Sequence, residues 1–252
     1  MSAARALSVL RLLAASTTPQ PAEVLARTLG VPRASLYRLL REMCDEGFVT
    51  HYPEERRWGL GIATLELGSA YQRADPLVRL ARPLLAELVD TTGATVHLAV
   101  LHGNETLYLL VERPRRADVL VTGEGVRLPA HLTATGRAVL AHLSRRQLEA
   151  LYPHGLVLRE QAGPRSVRDL REDLEAERAR GWSSEQGLVT EGFSSVAAAA
   201  FDAAGLPTAS IGVTAPTARA DLEALALPVT RAAAALTRRL GGKAPQRAAL
   251  RW

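Results

Sequence analysis

The sequence predicts an α+β protein in two parts: a small helical unit closed by a β-hairpin, then a larger unit of mixed helices and strands. Three observations carry that expectation. The first sixty residues hold three short apolar patterns of helical period, followed by two strand-like runs. Beyond them, helical patterns alternate with extended runs such as "TVHLAVL" and "SVAAAAF". The length of 252 residues suits two modest domains, and 47% hydrophobic against 23% charged residues is the composition of an ordinary soluble fold.

Positions 4 to 15 read as the first helix, with Leu7, Leu10, Leu13 and Ala14 on its apolar side and Thr17, Thr18 and Pro19 ending it. Pro21 suits a first helical position. "AEVLARTL" is the second helix, with Val24, Leu25 and Leu29 inward, and Gly30 supplies a turn. In the third helix Leu36, Leu39, Leu40 and Met43 keep the i, i+3, i+4, i+7 spacing of a buried stripe. At about 100° per residue, Ala34, Arg38 and Arg41 fall on the opposite side. Ser35 and Tyr37 flank that side, and Arg33 stands at the helix mouth.

This third helix is charged against its own dipole. Its arginines come first, and Asp45 and Glu46 come last. Each exposed charge so placed costs about 0.3–1 kcal/mol. In a helix-turn-helix the start of the second helix enters the major groove, where arginine pairs with guanine or grips phosphate. Double-stranded DNA as a partner accounts for the reversed order; an ordinary solvated face is the alternative. "FVTHY" and "RRWGL", joined by "PEER", then read as the hairpin wing of a winged helix. Arg56 and Arg57 lie at its tip beside Glu54 and Glu55, and Trp58 and Leu60 anchor it. Residues 1–60 are thus expected to form a winged helix-turn-helix DNA-binding domain. Net charge adds little: of the +5 total, Arg231, Arg238, Arg239, Lys243, Arg247 and Arg251 lie after the last acid, which leaves the rest near neutral.

"GIATLELGSAYQRA" (61–74) reads as a linker helix with apolar residues on several sides, which suits a dimer seam or core packing. Asp75 and Pro76 start the next helix, which runs to about Thr92. "TVHLAVL-HGNE-TLYLLV" is a hairpin across a Gly-Asn turn, and "DVLV" is a further strand. His97 and His102 share no ligand spacing and read as structural. A helix begins near Gly136, with Thr133 and Thr135 as N-cap candidates; the reason is capping alone, or a helix start open to an anion. Ser144 to Gln147 form a capping box. "VRDLREDLEAERARG" is a helix whose charges belong to the surface. "SVAAAAF-DAAG-LPTASIGVT" is a second hairpin, its small residues leaving room for close packing or for a ligand. The last helix spans about 217–240 and is kinked or broken at Pro228. A basic disordered tail, 241–252, follows.

No stretch reaches the roughly 18 consecutive apolar residues of a membrane span. Arg11 interrupts the apolar N-terminus, which reads as a folded helix, so the expected compartment is the cytoplasm. Cys44 is the only cysteine, a small core residue, which leaves no internal disulfide and no cysteine metal cluster. The chain lacks G-x-S-x-G, H-E-x-x-H, a P-loop and a strand-borne G-x-G-x-x-G. No catalytic residue, metal site or cofactor is therefore expected.

Taken together, "RALSVLRLLAAS", "LARTLGVPRASLYRLLREMCDEGFVT", "WGLGIATLELG", "LPAHLTATGRAVLA", "LEAERARGW" and "GFSSVAAAAFDAAGLPTASIGVT" resemble, in that order, the IclR family of bacterial transcription regulators. The resemblance implies a winged helix-turn-helix, a linker helix, and a GAF-like mixed α/β effector-binding domain over 75–240. It also implies dimers or tetramers on pseudo-palindromic operators. By the same resemblance, Leu128, His131, Thr133, Ala134, Thr135 and Gly136 contribute to an effector pocket, with Glu185, Ser195, Gly212 and Thr214 opposite. The expected effector is a small molecule, with small organic acids as the candidate class. This chain departs from many relatives in having Gly187–Leu188 where they carry paired carboxylates. Several also carry cysteine at the place of Ser195 and serine at that of Gly212. Two other readings stay open: an oligomeric DNA-binding protein without an effector, and a small-molecule enzyme with an accessory winged helix.

Overall fold

In the computed structural model, whose described residues are 3–16, 18–158 and 163–243, the chain separates between Ala74 and Asp75 into two units. The first contains α1 (Ala3–Ala14), β1 (Gln20–Pro21), α2 (Ala22–Leu29), α3 (Arg33–Asp45), β2 (Val49–Tyr52), β3 (Arg57–Leu60) and α4 (Ile62–Ala74). The strands form an antiparallel sheet in the order β1-β3-β2, with Gln20 opposite Trp58 and Thr50 opposite Gly59. β1 was not legible in the sequence, because two residues carry no period.

The core of this unit joins Val9 and Leu13 of α1 to Leu25, Leu36, Leu40, Val49 and Trp58. The stripe expected on α3 is buried throughout: Leu36, Leu39, Leu40 and Met43. The α1 face is rotated from the expected one. Ala6, Val9, Leu10 and Leu13 pack inward with the full i, i+3, i+4, i+7 spacing, and Leu7 is left 57% exposed. Leu60, expected as a wing anchor, ends its strand beyond the core and is 39% exposed, so Trp58 anchors the wing alone. Gly30 closes α2 in the left-handed conformation (φ 62°), which other residues adopt only at a cost. Gly61 follows the wing so closely that an added Cβ would lie 2.1 Å from the Gly47 carbonyl oxygen. None of the described side chains of α4 is buried, and Ile62, Leu65, Leu67 and Tyr71 are exposed.

The second unit holds α5 (Pro76–Thr92), β4 (Thr95–His102), β5 (Glu105–Glu112), β6 (Arg127–Pro129), α6 (Ala134–Leu140), α7 (Arg145–Leu151), α8 (Val167–Arg180), β7 (Ser183–Gln186), β8 (Phe193–Phe201), β9 (Pro207–Pro216) and α9 (Leu222–Arg239). Its strands build one antiparallel sheet in the order β6-β5-β4-β9-β8-β7. Strand alternation gives the sheet two faces. Val96, Leu98, Val196, Ala198 and Ile211 meet α5 and α9 through Leu85, Val229 and Leu236. Ala197 faces the other way and packs on Ala134 and Ala138 of α6. Beyond α6, Leu140 joins Leu148, Leu170 and Leu174 of α7 and α8.

Of the two N-cap candidates at α6, Thr133 is the cap and Thr135 lies inside the helix. Thr133 accepts from the Gly136 amide at 2.9 Å, and Ser144 with Gln147 forms the complete capping box. Four expectations change. "DVLV" is not a strand: residues 118–121 find no ladder partner, and β6 takes the edge of β5 instead. α9 starts at Leu222, where Asp221 caps it, and it runs through Pro228 without a break. Gly241 and Gly242 are not tail. Gly241 turns left-handed, and the Gly242 amide donates to the Thr237 carbonyl at 2.8 Å. The remainder of the expected tail, 244–252, lies outside the described residues. Finally, the charges of α8 are not all surface. Glu177 is 4% exposed, and Arg137 of α6 donates to its Oε1 through Nε and Nη2 at 2.9 and 2.7 Å; Nη2 also reaches Asp173 at 3.3 Å.

Two mutational outcomes follow from this packing. Gly61→Ala forces its methyl onto backbone and should lower stability by about 1–3 kcal/mol in thermal unfolding, while Gly68→Ala in α4, where a Cβ meets open space, should be neutral or stabilising. Arg137→Leu leaves the buried Glu177 carboxylate to the more distant Arg180, 3.7 Å away, and should cost up to about 3–5 kcal/mol by urea unfolding. Adding Glu177→Leu should recover most of that loss; a double variant as weak as the single one would deny that the pair is coupled.

Candidate nucleic-acid interface and ligand pocket

Burial of the leucine stripe fixes how α3 is rotated, and that rotation puts Arg33, Ala34, Tyr37, Arg38 and Arg41 in solvent, with Ser35 half-buried. Arg33 lies 3.7 Å from Glu23 in an exposed ion pair, an interaction worth little. Among the described residues Arg38 and Arg41 have no ion-pair or hydrogen-bond partner. Two guanidinium groups one turn apart are therefore free to meet an anion. Trp58 ties this helix to the wing: Tyr37 meets its ring edge-on at 6.4 Å, and exposed His51 stacks on it at 4.2 Å.

The wing separates its two arginines. Arg56 sits in the turn, exposed and with a positive φ of 53°, a conformation uncommon outside glycine. Arg57 is not at the tip as expected. It lies in β3, half-buried, and its Nη1 donates to the Pro19 carbonyl at 3.1 Å, so it braces β1 against the wing.

In the second unit a cavity opens on the α6 side of the sheet. Thr133, Ala134 and Thr135 approach it from the start of α6, and Glu185, Ser195, Gly212 and Thr214 from β7, β8 and β9. Seven of the ten expected pocket residues thus come together, although they lie between positions 133 and 214 of the chain. Three do not. Leu128 packs with Ala99, Tyr108 and Val111. His131 is buried elsewhere, with its Nε2 2.8 Å from the Val157 carbonyl oxygen and its ring edge-on to Tyr152. Gly136 lies under the preceding turn, where a Cβ would come 2.3 Å from the Ala130 carbonyl oxygen.

The structure adds residues that the sequence reading passed over. His97 of β4, read as structural, faces the cavity with Tyr108 of β5 and with Leu120 and Thr122 of the 113–126 loop. Alternation along "DVLV" was a usable signal: Leu120 turns in while Val119 and Val121 stay exposed, although no ladder forms. The space open to the centre of a water molecule is only about 10 Å³, roughly a single water. Leu120, Phe193 and Thr214 divide it from a neighbouring hollow of about 160 Å³.

The cavity walls are polar and tightly paired. Ser195 donates to Glu185 Oε1 at 2.6 Å, and the Leu188 amide donates to Oε2 at 2.9 Å. Burial raises the Glu185 carboxyl above its ordinary range, opposed by those hydrogen bonds. Ser195 and Thr214 hydroxyls lie 2.9 Å apart. His97 Nε2 lies 2.8 Å from Thr122 Oγ1. Its burial, with the Arg113 charge nearby, pushes the imidazole down to about 3, which keeps it neutral. Burial pushes the Tyr108 phenol up to about 12. Among the described residues no group of His, Cys, Asp and Glu could hold a metal ion.

Comparison with known proteins places this geometry in context. The profile described as bacterial transcriptional regulator IclR C-terminal matches residues 69–238, and that of the IclR helix-turn-helix domain matches residues 2–53. The chain is 30% identical to the transcriptional repressor IclR of Escherichia coli (strain K12), over 86% of this chain and 81% of that protein. It is 32% identical to the HTH-type transcriptional regulator BhcR of Paracoccus denitrificans (strain Pd 1222), over 92% and 85%. Among solved structures, an IclR transcriptional regulator from Silicibacter sp. TM1040 superposes with a TM-score of 0.80 at 26% identity, covering 97% of this chain and 98% of that one.

The buried imidazoles make the second unit acid-sensitive. His97 and His142, the latter pushed down to about 4 by burial and by Arg178, bind protons more readily unfolded than folded. Their stabilising contribution is complete above about pH 6.5 and is lost as pH falls toward those values, by about 1.4 kcal/mol per pH unit for each ring. Urea unfolding between pH 7 and pH 4 should therefore show a shallower slope for His97→Gln than for wild type. Parallel slopes would mean that His97 is not held neutral.

Proposed function

This chain belongs to the IclR family of bacterial transcription regulators, and we propose that it reads DNA through the exposed arginines of α3 and answers to a small molecule held beside Glu185. It combines a helix-turn-helix DNA-binding domain with an effector-binding C-terminal domain, as its family does. In the proposed complex the first turns of α3 enter the major groove. Arg38 and Arg41 face base edges or phosphates, Arg33 exchanges Glu23 for phosphate, and Arg56 reaches the backbone from the wing. The acidic end of α3, Asp45 and Glu46, points away from the duplex.

A second copy of the chain completes the regulator. The uncovered apolar residues of α4 (Ile62, Leu65, Leu67) support a seam between two copies, and a two-fold dimer would select a pseudo-palindromic operator. In this reading the assembly is a dimer or a pair of dimers. The effector acts by population shift: it biases one dimer arrangement only as far as its affinities for the two arrangements differ. No turnover is proposed. The relatives named above are transcriptional regulators. No helix among the described residues is long and apolar enough to cross a membrane, and a cytoplasmic site of action fits a DNA-binding regulator. A small organic acid, the effector class the family resemblance suggests, would have to lie against the Glu185 carboxylate.

The unpaired Arg38 and Arg41 on the face opposite the buried stripe support this reading most strongly. Selection from a random duplex library with the wild-type protein should yield a preferred sequence. On that sequence Arg38→Ala plus Arg41→Ala should lose about a hundredfold or more in affinity, since each arginine–base or arginine–phosphate contact contributes about 1–3 kcal/mol. Unchanged affinity would remove α3 as the reading element.

A further inference from the structure

The hydrogens in the pocket have a direction, and that direction selects a ligand class. A serine hydroxyl carries one hydrogen. Ser195 gives its hydrogen to Glu185 Oε1 at 2.6 Å. The hydrogen shared by Ser195 and Thr214 at 2.9 Å therefore comes from Thr214. Thr214 is left with lone pairs and no hydrogen to offer, so this wall of the cavity asks for a donor. The opposite wall is arranged the other way. Thr135 donates to the Tyr108 oxygen in a long contact of 3.4 Å, which leaves the phenol hydrogen of Tyr108 for an acceptor.

No cation completes the lining among the described residues. The nearest guanidinium groups are committed. Arg113 donates to the Thr122 carbonyl at 2.9 Å, and Arg137 is held by Glu177 and Asp173. Arg116 and Arg219 line the neighbouring hollow, and Arg219 is paired there with Asp118 at 3.5 Å. A carboxylate ligand accepts only, so it would face Thr214 and Glu185 with nothing to donate. An ammonium ligand donates only, so it would leave Tyr108 unanswered. A hydroxyl does both.

We infer that the effector is a small neutral polyhydroxylated compound, bound with one hydroxyl donating to the Thr214–Ser195–Glu185 chain and another accepting from Tyr108; since the cavity as it stands admits about one water, binding requires Leu120 to swing aside and join it to the neighbouring hollow of about 160 Å³. The inference rests on the pocket being the effector site, as proposed above. It replaces the organic acid with a polyol.

Calorimetric titration of the full chain tests it, with erythritol, threitol and xylitol as one probe series and glyoxylate, pyruvate and 4-hydroxybenzoate as the other. At least one polyol should bind saturably at millimolar concentration or below, with an affinity that is flat between pH 6 and pH 8. Glu185→Gln should weaken that binding about tenfold, because a charge-assisted hydrogen bond becomes a neutral one. Thr214→Val should weaken it as well, and unchanged thermal unfolding of each unliganded variant shows that the fold survives. The acids should not bind. If an acid binds instead, and binds more tightly to Glu185→Gln or about tenfold more tightly per unit fall in pH, the polyol class is overturned while the pocket remains the effector site. If neither series binds, the polyol class is overturned and the effector reading loses the pocket with it.

Discussion

Everything at the DNA-reading end depends on α3 being two-sided. Leu36, Leu39, Leu40 and Met43 are buried against α1, α2 and the wing, and a helix with four buried positions on one stripe cannot roll. Each such side chain contributes roughly 1.5–3 kcal/mol by leaving water, far more than the few tenths to one kcal/mol by which the arginines oppose the dipole. Packing wins, and the arginines are held outward. Trp58 extends the constraint to the wing: its indole is buried, Tyr37 meets it edge-on and His51 stacks on it. Reading helix and wing thus share one anchor.

The second unit solves a different problem with the same means. Its sheet gives one face to α5 and α9, where large side chains interlock. The other face goes to α6, and there the contact is made by small residues, Ala134, Ala138 and Ala197. Small side chains bring α6 close to the sheet, and Gly212 makes that approach possible: a Cβ there would lie 2.7 Å from the Thr135 methyl. The polar cavity lies at this close contact. Arg137, fixed to Glu177, holds the same helix to α8 from behind. The start of α6, which supplies Thr133 to Thr135, is therefore clamped on two sides while the 113–126 loop covers the cavity from a third.

Much of the fold was legible because it is written in local periods. The stripe on α3, the capping box at Ser144 and both large hairpins follow from spacing and turn chemistry alone. What escaped reading was decided by distant partners. The choice between Leu7 and Val9 for the α1 face needs the packed surface, since both fit a helical period. "DVLV" has strand-like alternation but no neighbouring edge to pair with. Arg137 and Glu177 look like any other charges on polar helices, and only their mutual burial sets them apart. The pocket was less legible still. Its seven expected residues came from family resemblance, and His97 was passed over because a lone histidine on a strand carries no signal until the strand beside it, Gly212 in β9, is known.

The central claim is that the first half of α3 faces the duplex and its acidic end does not. Photo-crosslinking tests this most directly, with a photoreactive side chain placed at position 38 in one protein and at position 46 in another, each bound to a duplex recovered by selection. The account predicts efficient transfer to DNA from position 38 and little from position 46. Equal transfer from both, or transfer from position 46 alone, would contradict it.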